Sequence, residues 1–250
     1  MSKEARRMTN HAYIKWIAAA VLVIGIIVII IVMMLSYTSR TGCAADKYNS
    51  MTDLKSDTEE CKDWEIETRN ETNPTVIAAI HGGGIEPGTT EIARELADQT
   101  GSGFYSFRGI RYENNRDLHV TAIHYDEPKA QKMVRQSERT ITIHKASLSD
   151  SDVYIGGRDI ALRNRIARVL SERGISVTRA EGKLGGKNPH NIVNQNKNRA
   201  GVQMELSNQF VRNFFKDGDM SKASREDSDN WTSNFYEFID GMDEALNENE

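Results

Sequence analysis

The chain has little cysteine, few aromatics and no serine elbow, and each shortage closes off a class of chemistry. Only Cys43 and Cys61 occur among its 250 residues, both upstream of every other motif, so a cysteine-built zinc knuckle is excluded. Aromatic residues make up 7% and no nucleic-acid-binding module is recognisable, which sets aside a polynucleotide partner. No G-x-S-x-G elbow is present; Thr100-Gly101-Ser102-Gly103 sits in a loop after a helix pattern rather than after a strand. The stretch His81-Gly82-Gly83-Gly84 is therefore not the oxyanion loop of a serine hydrolase. Nor is it a phosphate cradle, because Ile85-Glu86-Pro87 supplies negative charge where lysine and a hydroxyl are needed. Internal repeats are absent.

What is present is a set of strand ends carrying metal-binding side chains. Val76-Ile77-Ala78-Ala79-Ile80 is an apolar, β-branched run that reads as a strand and delivers His81 at its end, with Glu86 five residues on across a glycine turn. Thr140-Ile141-Thr142-Ile143 alternates polar and apolar and delivers His144 in the same way. Imidazole nitrogens with a carboxylate oxygen suit zinc, and three protein ligands leave the open position that catalytic zinc uses. His81, Glu86 and His144 are the expected ligands. In Val202-Gln203-Met204-Glu205-Leu206-Ser207 the apolar residues share one face and the polar ones the other. A carboxylate is costly to bury in such a strand without a partner, which makes Glu205 the expected general base. His119 and His124 flank Val120-Thr121-Ala122-Ile123, read as a further strand. They lie an odd number of residues apart and so point to opposite faces; His124, at the strand's end, is taken as the pocket residue. His190, in a polar glycine-rich loop, receives no role.

The segments HGGGIEPGT, ITIH and GVQMELS together resemble the poly-γ-glutamate hydrolase family of phages and bacteria, itself distantly similar in fold to zinc carboxypeptidases. The likeness covers roughly residues 47 to 215. It implies a zinc hydrolase of γ-glutamyl amide bonds, with Zn²⁺ on His81, Glu86 and His144 and with Glu205 as the base. In that setting Arg199 is a candidate to stabilise the oxyanion, Asn191 to position a substrate carboxylate, and His124 to line the substrate site. The same chemistry would serve an amidase acting on peptidoglycan stem peptides. A metal-binding surface module without turnover is the third reading, though such a binder has no use for Glu205.

From Trp16 to Leu35 run twenty uncharged, mostly apolar residues, the length needed to span about 30 Å of hydrocarbon. Secretory signals carry apolar cores of only about 7–15 residues. The expected organisation is a cytoplasmic N-terminus (1–15), a transmembrane anchor (16–36), an acidic exported linker and domain entry (37–74), a zinc hydrolase domain (75–215) and an acidic C-terminal tail (216–250). Lys3, Arg6, Arg7 and Lys15 precede the span, so the domain should face outward from the cell membrane. Cys43 and Cys61 would then pair locally.

Charge is distributed unevenly over these regions. Residues 41–74 carry four Lys/Arg and nine Asp/Glu, residues 216–250 three and eleven, and residues 75–215 twenty and fifteen. The motif-bearing region is thus basic, which suits a polyanionic peptide substrate. Strand and helix patterns alternate, giving an α/β class with a mixed central sheet flanked by helices. Trp231, Phe235, Phe238, Ile239, Met242 and Leu246 recur at helical spacing, so the tail should end in an amphipathic helix packed on the domain. A monomer is expected.

Overall fold

The structure, a computed structural model, describes Trp16, residues 23–27 and residues 46–248. Trp16 and residues 23–27 are helical, and Val23, Ile24, Ile26 and Ile27 are exposed. The remainder of the expected anchor, the basic segment before it and Cys43 lie outside the described residues. No helix among the described residues is long and apolar enough to cross a membrane. A separate compact unit begins at Asp46.

That unit is a seven-stranded mixed sheet with helices on both faces. Its elements are α1 (Met51–Asp57), β1 (Trp64–Arg69), β2 (Thr75–Gly83), α2 (Thr89–Thr100), β3 (Gly103–Gly109), α3 (Pro128–Gln136), β4 (Arg139–Ala146), β5 (Val153–Gly157), α4 (Ile160–Glu172), β6 (Val177–Arg179), β7 (Val202–Ser207), α5 (Asn208–Arg212), α6 (Lys222–Arg225) and α7 (Ser233–Asn247). The strand order is β1-β3-β2-β4-β7-β5-β6. β2, β3, β4 and β7 run parallel, while β1 and β5 are antiparallel to their neighbours β3 and β7. Every residue of β2 is buried, as a central strand covered on both faces requires.

Alternation along the strands divides the interior in two. Ile77, Ile141, Ile143, Val202, Met204 and Leu206 face one core, shared with α2, α4 and α7. Val76, Ala78, Ile80, Tyr105 and Phe107 face the other, under α1, α3 and the segment 118–125. The C-terminal tail belongs to the first core. Phe235, Phe238, Ile239 and Met242 of α7 are fully buried, so the expected amphipathic helix is present and packs on the domain. Its approach is fixed by a buried ion pair, Arg225 Nη1 to Glu91 Oε1 at 2.6 Å.

The strand expected at 118–124 is not formed. Two 3₁₀ turns, Asn115–Leu118 and Ala122–His124, stand there instead. The place beside β3 is taken by β1, which is the outer strand of the sheet on that side. The alternation is used otherwise. Leu118 and Val120 enter the second core, and the Asp46 carboxylate takes His119 Nδ1 and Thr121 N. β1 and α1, within a stretch read as linker, supply the outer strand and a covering helix.

Candidate metal centre

His81 leaves β2 where its pairing with β3 shifts register. The turn that follows is held by backbone bonds from Gly84 N to Gly109 O (2.8 Å) and from Glu86 N to His81 O (2.9 Å). Gly83 has φ +62°, and a Cβ there would lie 2.4 Å from Gly109 O, so no side chain fits. The consequence is that Glu86 folds back onto the histidine that began the turn. Its Oε1 lies 3.0 Å from His81 Nδ1, and its Oε2 accepts from Lys145 N at 2.9 Å.

β4 brings the next group. His144 Nδ1 is 3.2 Å from His81 Nδ1 and 3.5 Å from Glu86 Oε2. His81 Nε2 lies 2.8 Å from the Val120 carbonyl, which can only accept, so Nε2 carries the proton and Nδ1 presents a lone pair to the cluster. All three groups are buried. Donors about 2.1 Å from a tetrahedral ion stand about 3.4 Å from one another. The two imidazole nitrogens are 3.2 Å apart and each lies 3.0–3.5 Å from one oxygen of the Glu86 carboxylate, separations of the size that a divalent metal's donors have. The other ring nitrogen of His144, Nε2, is buried without a partner among the described residues.

A second triple overlaps the first. His119 Nε2 is 3.7 Å from Glu86 Oε1, and the His119 ring stacks on His81 with centroids 3.9 Å apart, so His81, Glu86 and His119 also form a candidate metal site. His119 owes its orientation to Asp46, whose Oδ1 lies 2.5 Å from Nδ1. Electrostatics follow from burial and charge. Burial works against the Glu86 carboxylate, but the imidazoles of His81 and His144 hold it well below the usual carboxylate range. Burial, reinforced by the nearby His81, depresses His119 to about 3. The His144 imidazole is raised, the Glu205 and Glu86 carboxylates outweighing its burial.

Glu205 stands directly across from His144 in the β4–β7 register, on the polar face with Gln203 and Ser207 as expected. Burial, with the charge of Glu86 adding to it, raises its carboxyl to about 7. Such a group gives and takes a proton near neutral pH, as a general base must.

A sequence profile of the family described as poly-gamma-glutamate hydrolase matches residues 48–241. The chain belongs to the poly-gamma-glutamate hydrolase family. YndL of Bacillus subtilis is 34% identical over 201 residues, covering 80% of this chain and 77% of YndL. The SPbeta prophage-derived protein YoqZ of the same species is 33% identical over 208 residues, covering 82% and 73%. Among solved structures, a bacteriophage poly-gamma-glutamate hydrolase superposes with a TM-score of 0.77 at 32% identity, over 81% of this chain and 97% of that one. Zinc-free YndL superposes with 0.75 at 32% identity, over 81% and 98%.

Within this family member, the residues nominated from sequence have different fates. His81, Glu86, His144 and Glu205 are brought together. Asn191 is buried nearby, its Oδ1 accepting from Val193 N and one amide N–H donating to Gln203 Oε1. Arg199 is a correction. It is exposed, with φ +53°, in the turn before β7 and beside the start of β4, where Asn198 Nδ2 donates to Glu138 O, whereas Glu205 pairs with His144 toward the end of β4. The nearest guanidinium to the cluster is instead Arg116, with Nη1 3.9 Å from Glu86 Oε1. His124 is exposed and lines an open groove of about 490 Å³ with Arg135, His190 and Tyr125. Sequence reasoning missed His119, Asp46 and Arg116, which lie in or pair with the segment mistaken for a strand.

Proposed function

We propose that the protein is a membrane-anchored, zinc-dependent hydrolase of γ-glutamyl amide bonds, with poly-γ-glutamate as its substrate. The observation that carries this is the convergence of His81, Glu86 and His144 beside Glu205, in a chain of this family. His81 Nδ1, the Glu86 carboxylate and His144 would hold the zinc. His144 Nδ1 stands 3.2 Å from His81 Nδ1 and 3.5 Å from Glu86 Oε2, whereas His119 Nε2 stands 3.7 Å from Glu86 Oε1 and its Nδ1 is taken by Asp46. This favours His144 over His119 as the third ligand. A zinc ion held there supplies Lewis-acid polarisation of the scissile carbonyl and of the attacking water.

The remaining steps belong to the chain. Glu205 takes the proton from water and returns it to the leaving amine. Arg116, half exposed at the edge of the cluster, offers the cation that the developing oxyanion or a substrate carboxylate needs. The groove of His124, Arg135 and His190 would seat neighbouring glutamyl units; Tyr125 forms part of its wall and lies edge-on to His81.

Anchoring is supported by the uncharged stretch from Trp16 to Leu35 and by the exposed aliphatic side chains of residues 23–27, which are unfavourable in water. Outward orientation follows from the lysines and arginines before the stretch. The test is incubation of the purified protein with poly-γ-glutamate and with peptidoglycan, with and without chelator. Chelator-sensitive release of γ-glutamyl fragments from the first substrate alone is expected. Release from peptidoglycan alone would transfer the activity to stem peptides, and release from neither would leave a binding module.

A further inference from the structure

Beside Glu205 lies a chain of buried amides whose polarity is fixed at both ends. Val193 N donates to Asn191 Oδ1 at 3.1 Å, so the Asn191 amide nitrogen is the atom facing Gln203, and it donates to Gln203 Oε1 at 2.8 Å. Gln203 Nε2 must then point the other way. It donates to the Leu184 carbonyl at 3.2 Å, which confirms the assignment because a carbonyl only accepts, and to Glu205 Oε1 at 2.9 Å. Asn191, Gln203 and Glu205 are each at most 6% exposed. An unsupported buried carboxylate can rotate about its terminal torsion; one whose Oε1 is tied to a fixed donor cannot.

We propose that Gln203, oriented by Asn191, is the positioning residue for Glu205. By occupying Oε1 it leaves Oε2, which has no hydrogen bond among the described residues, as the oxygen that receives the proton. The loop 188–195 thereby acts in the reaction without touching substrate: its backbone amide at Val193 sets the direction of every bond in the chain. This rests on Glu205 being the general base.

The test uses zinc-loaded Gln203→Met, Asn191→Leu and the double variant. Gln203→Met removes the donor at similar volume; Asn191→Leu removes the bond that holds Gln203 Oε1, loosening the Gln203 amide against Glu205. Each should keep its zinc and its KM while kcat falls about tenfold, the effect of one well-placed hydrogen bond. The double variant should be no slower than Gln203→Met alone, since both act through one chain. Gln203→Glu adds a readout that packing would not move: the introduced carboxyl donates only while protonated, so turnover of this variant should fall as pH rises through a range where the wild type's does not. Crystal structures should show the Glu205 carboxylate rotated in Gln203→Met. A kcat within twofold of wild type in Gln203→Met, or an unmoved Glu205 carboxylate there, overturns the proposal. Should Gln203→Met fail to fold, Asn191→Leu decides by the same two criteria. If the wild type cleaves no γ-glutamyl substrate, the functional reading fails, and the crystal structures still decide the positioning role.

Discussion

Replacing Glu205 by glutamine should separate catalysis from stability, because the two move in opposite directions. The Glu205 carboxyl sits at about 7 against an ordinary 4.5, raised chiefly by burial. A folded-state value above the unfolded one means that the protonated form is the comfortable one. Its stability is fully present below about pH 4.5 and is lost as the pH rises through 7. That interval, at about 1.4 kcal/mol per pH unit, amounts to roughly 3 kcal/mol that the metal-free protein gives up at pH 8 to carry the buried anion. Glutamine is neutral at every pH and can still accept from Gln203 through its oxygen. Metal-free Glu205→Gln should therefore exceed wild type at pH 8 by up to about 3 kcal/mol in urea unfolding, with the difference vanishing toward pH 4. The zinc-loaded variant should meanwhile lose about 10²–10⁴-fold in hydrolysis, the usual contribution of a general base. A metal-free variant no more stable than wild type at pH 8 would refute the burial argument. Turnover within a few-fold of wild type would make Glu205 a structural residue of β7.

His144→Ala should lose zinc by elemental analysis while His119→Ala retains it, and the reverse result would move the metal to the triple containing His119. Arg116→Ala should keep its zinc and lower kcat/KM by about 10²-fold, the cost of removing one group that stabilises developing charge. An unchanged kcat/KM would place Arg116 outside the reaction. Arg225→Met strands the buried Glu91 carboxylate and should cost about 3–5 kcal/mol in denaturant unfolding; a loss under 1 kcal/mol would mean that water reaches Glu91.

Much of the architecture was legible because burial imposes period two on the strands and 3.6 on the helices. The β-branched runs at 76–80 and 140–143, the alternating run at 202–206 and the apolar stripes at 159–173 and 231–246 each became the element read from them. The segment 118–124 failed for a physical reason. Alternation reports that successive residues face different surroundings, and a turn over a packed core produces that as well as a strand does. With the strand went the choice between His119 and His124. Face parity has no meaning in a 3₁₀ turn, and the residue turned inward is the one that Asp46 captures from 73 positions away. Arg199 failed differently. Proximity in sequence to the Glu205 strand was used as proximity in space, and Arg199 stands in the turn at the entry of β7 while Glu205 lies toward its far end.

The four residues nominated from sequence stand out for a different reason: each is a polar or ionisable group in a buried setting. His144 follows an alternating strand onto a face where Thr140, Thr142 and Gln203 are also polar and also buried. Thr142 Oγ1 and His144 Nε2 lack hydrogen-bond partners among the described residues. A fold selected for stability alone would make that face of β4 and β7 apolar, since each buried unpaired polar atom costs on the order of 1–3 kcal/mol. Polar residues retained there indicate a requirement that packing does not supply. The nearby second core shows the contrast. Its buried carboxylate, Glu127, accepts from Ala130 N at 2.8 Å and from Lys55 Nζ at 3.3 Å, and Tyr105 donates to it. Glu127 thus has a structural partner for each oxygen, whereas Glu205 has its Oε1 tied to Gln203 and no hydrogen bond to Oε2 among the described residues, the arrangement that the proposed role as base requires.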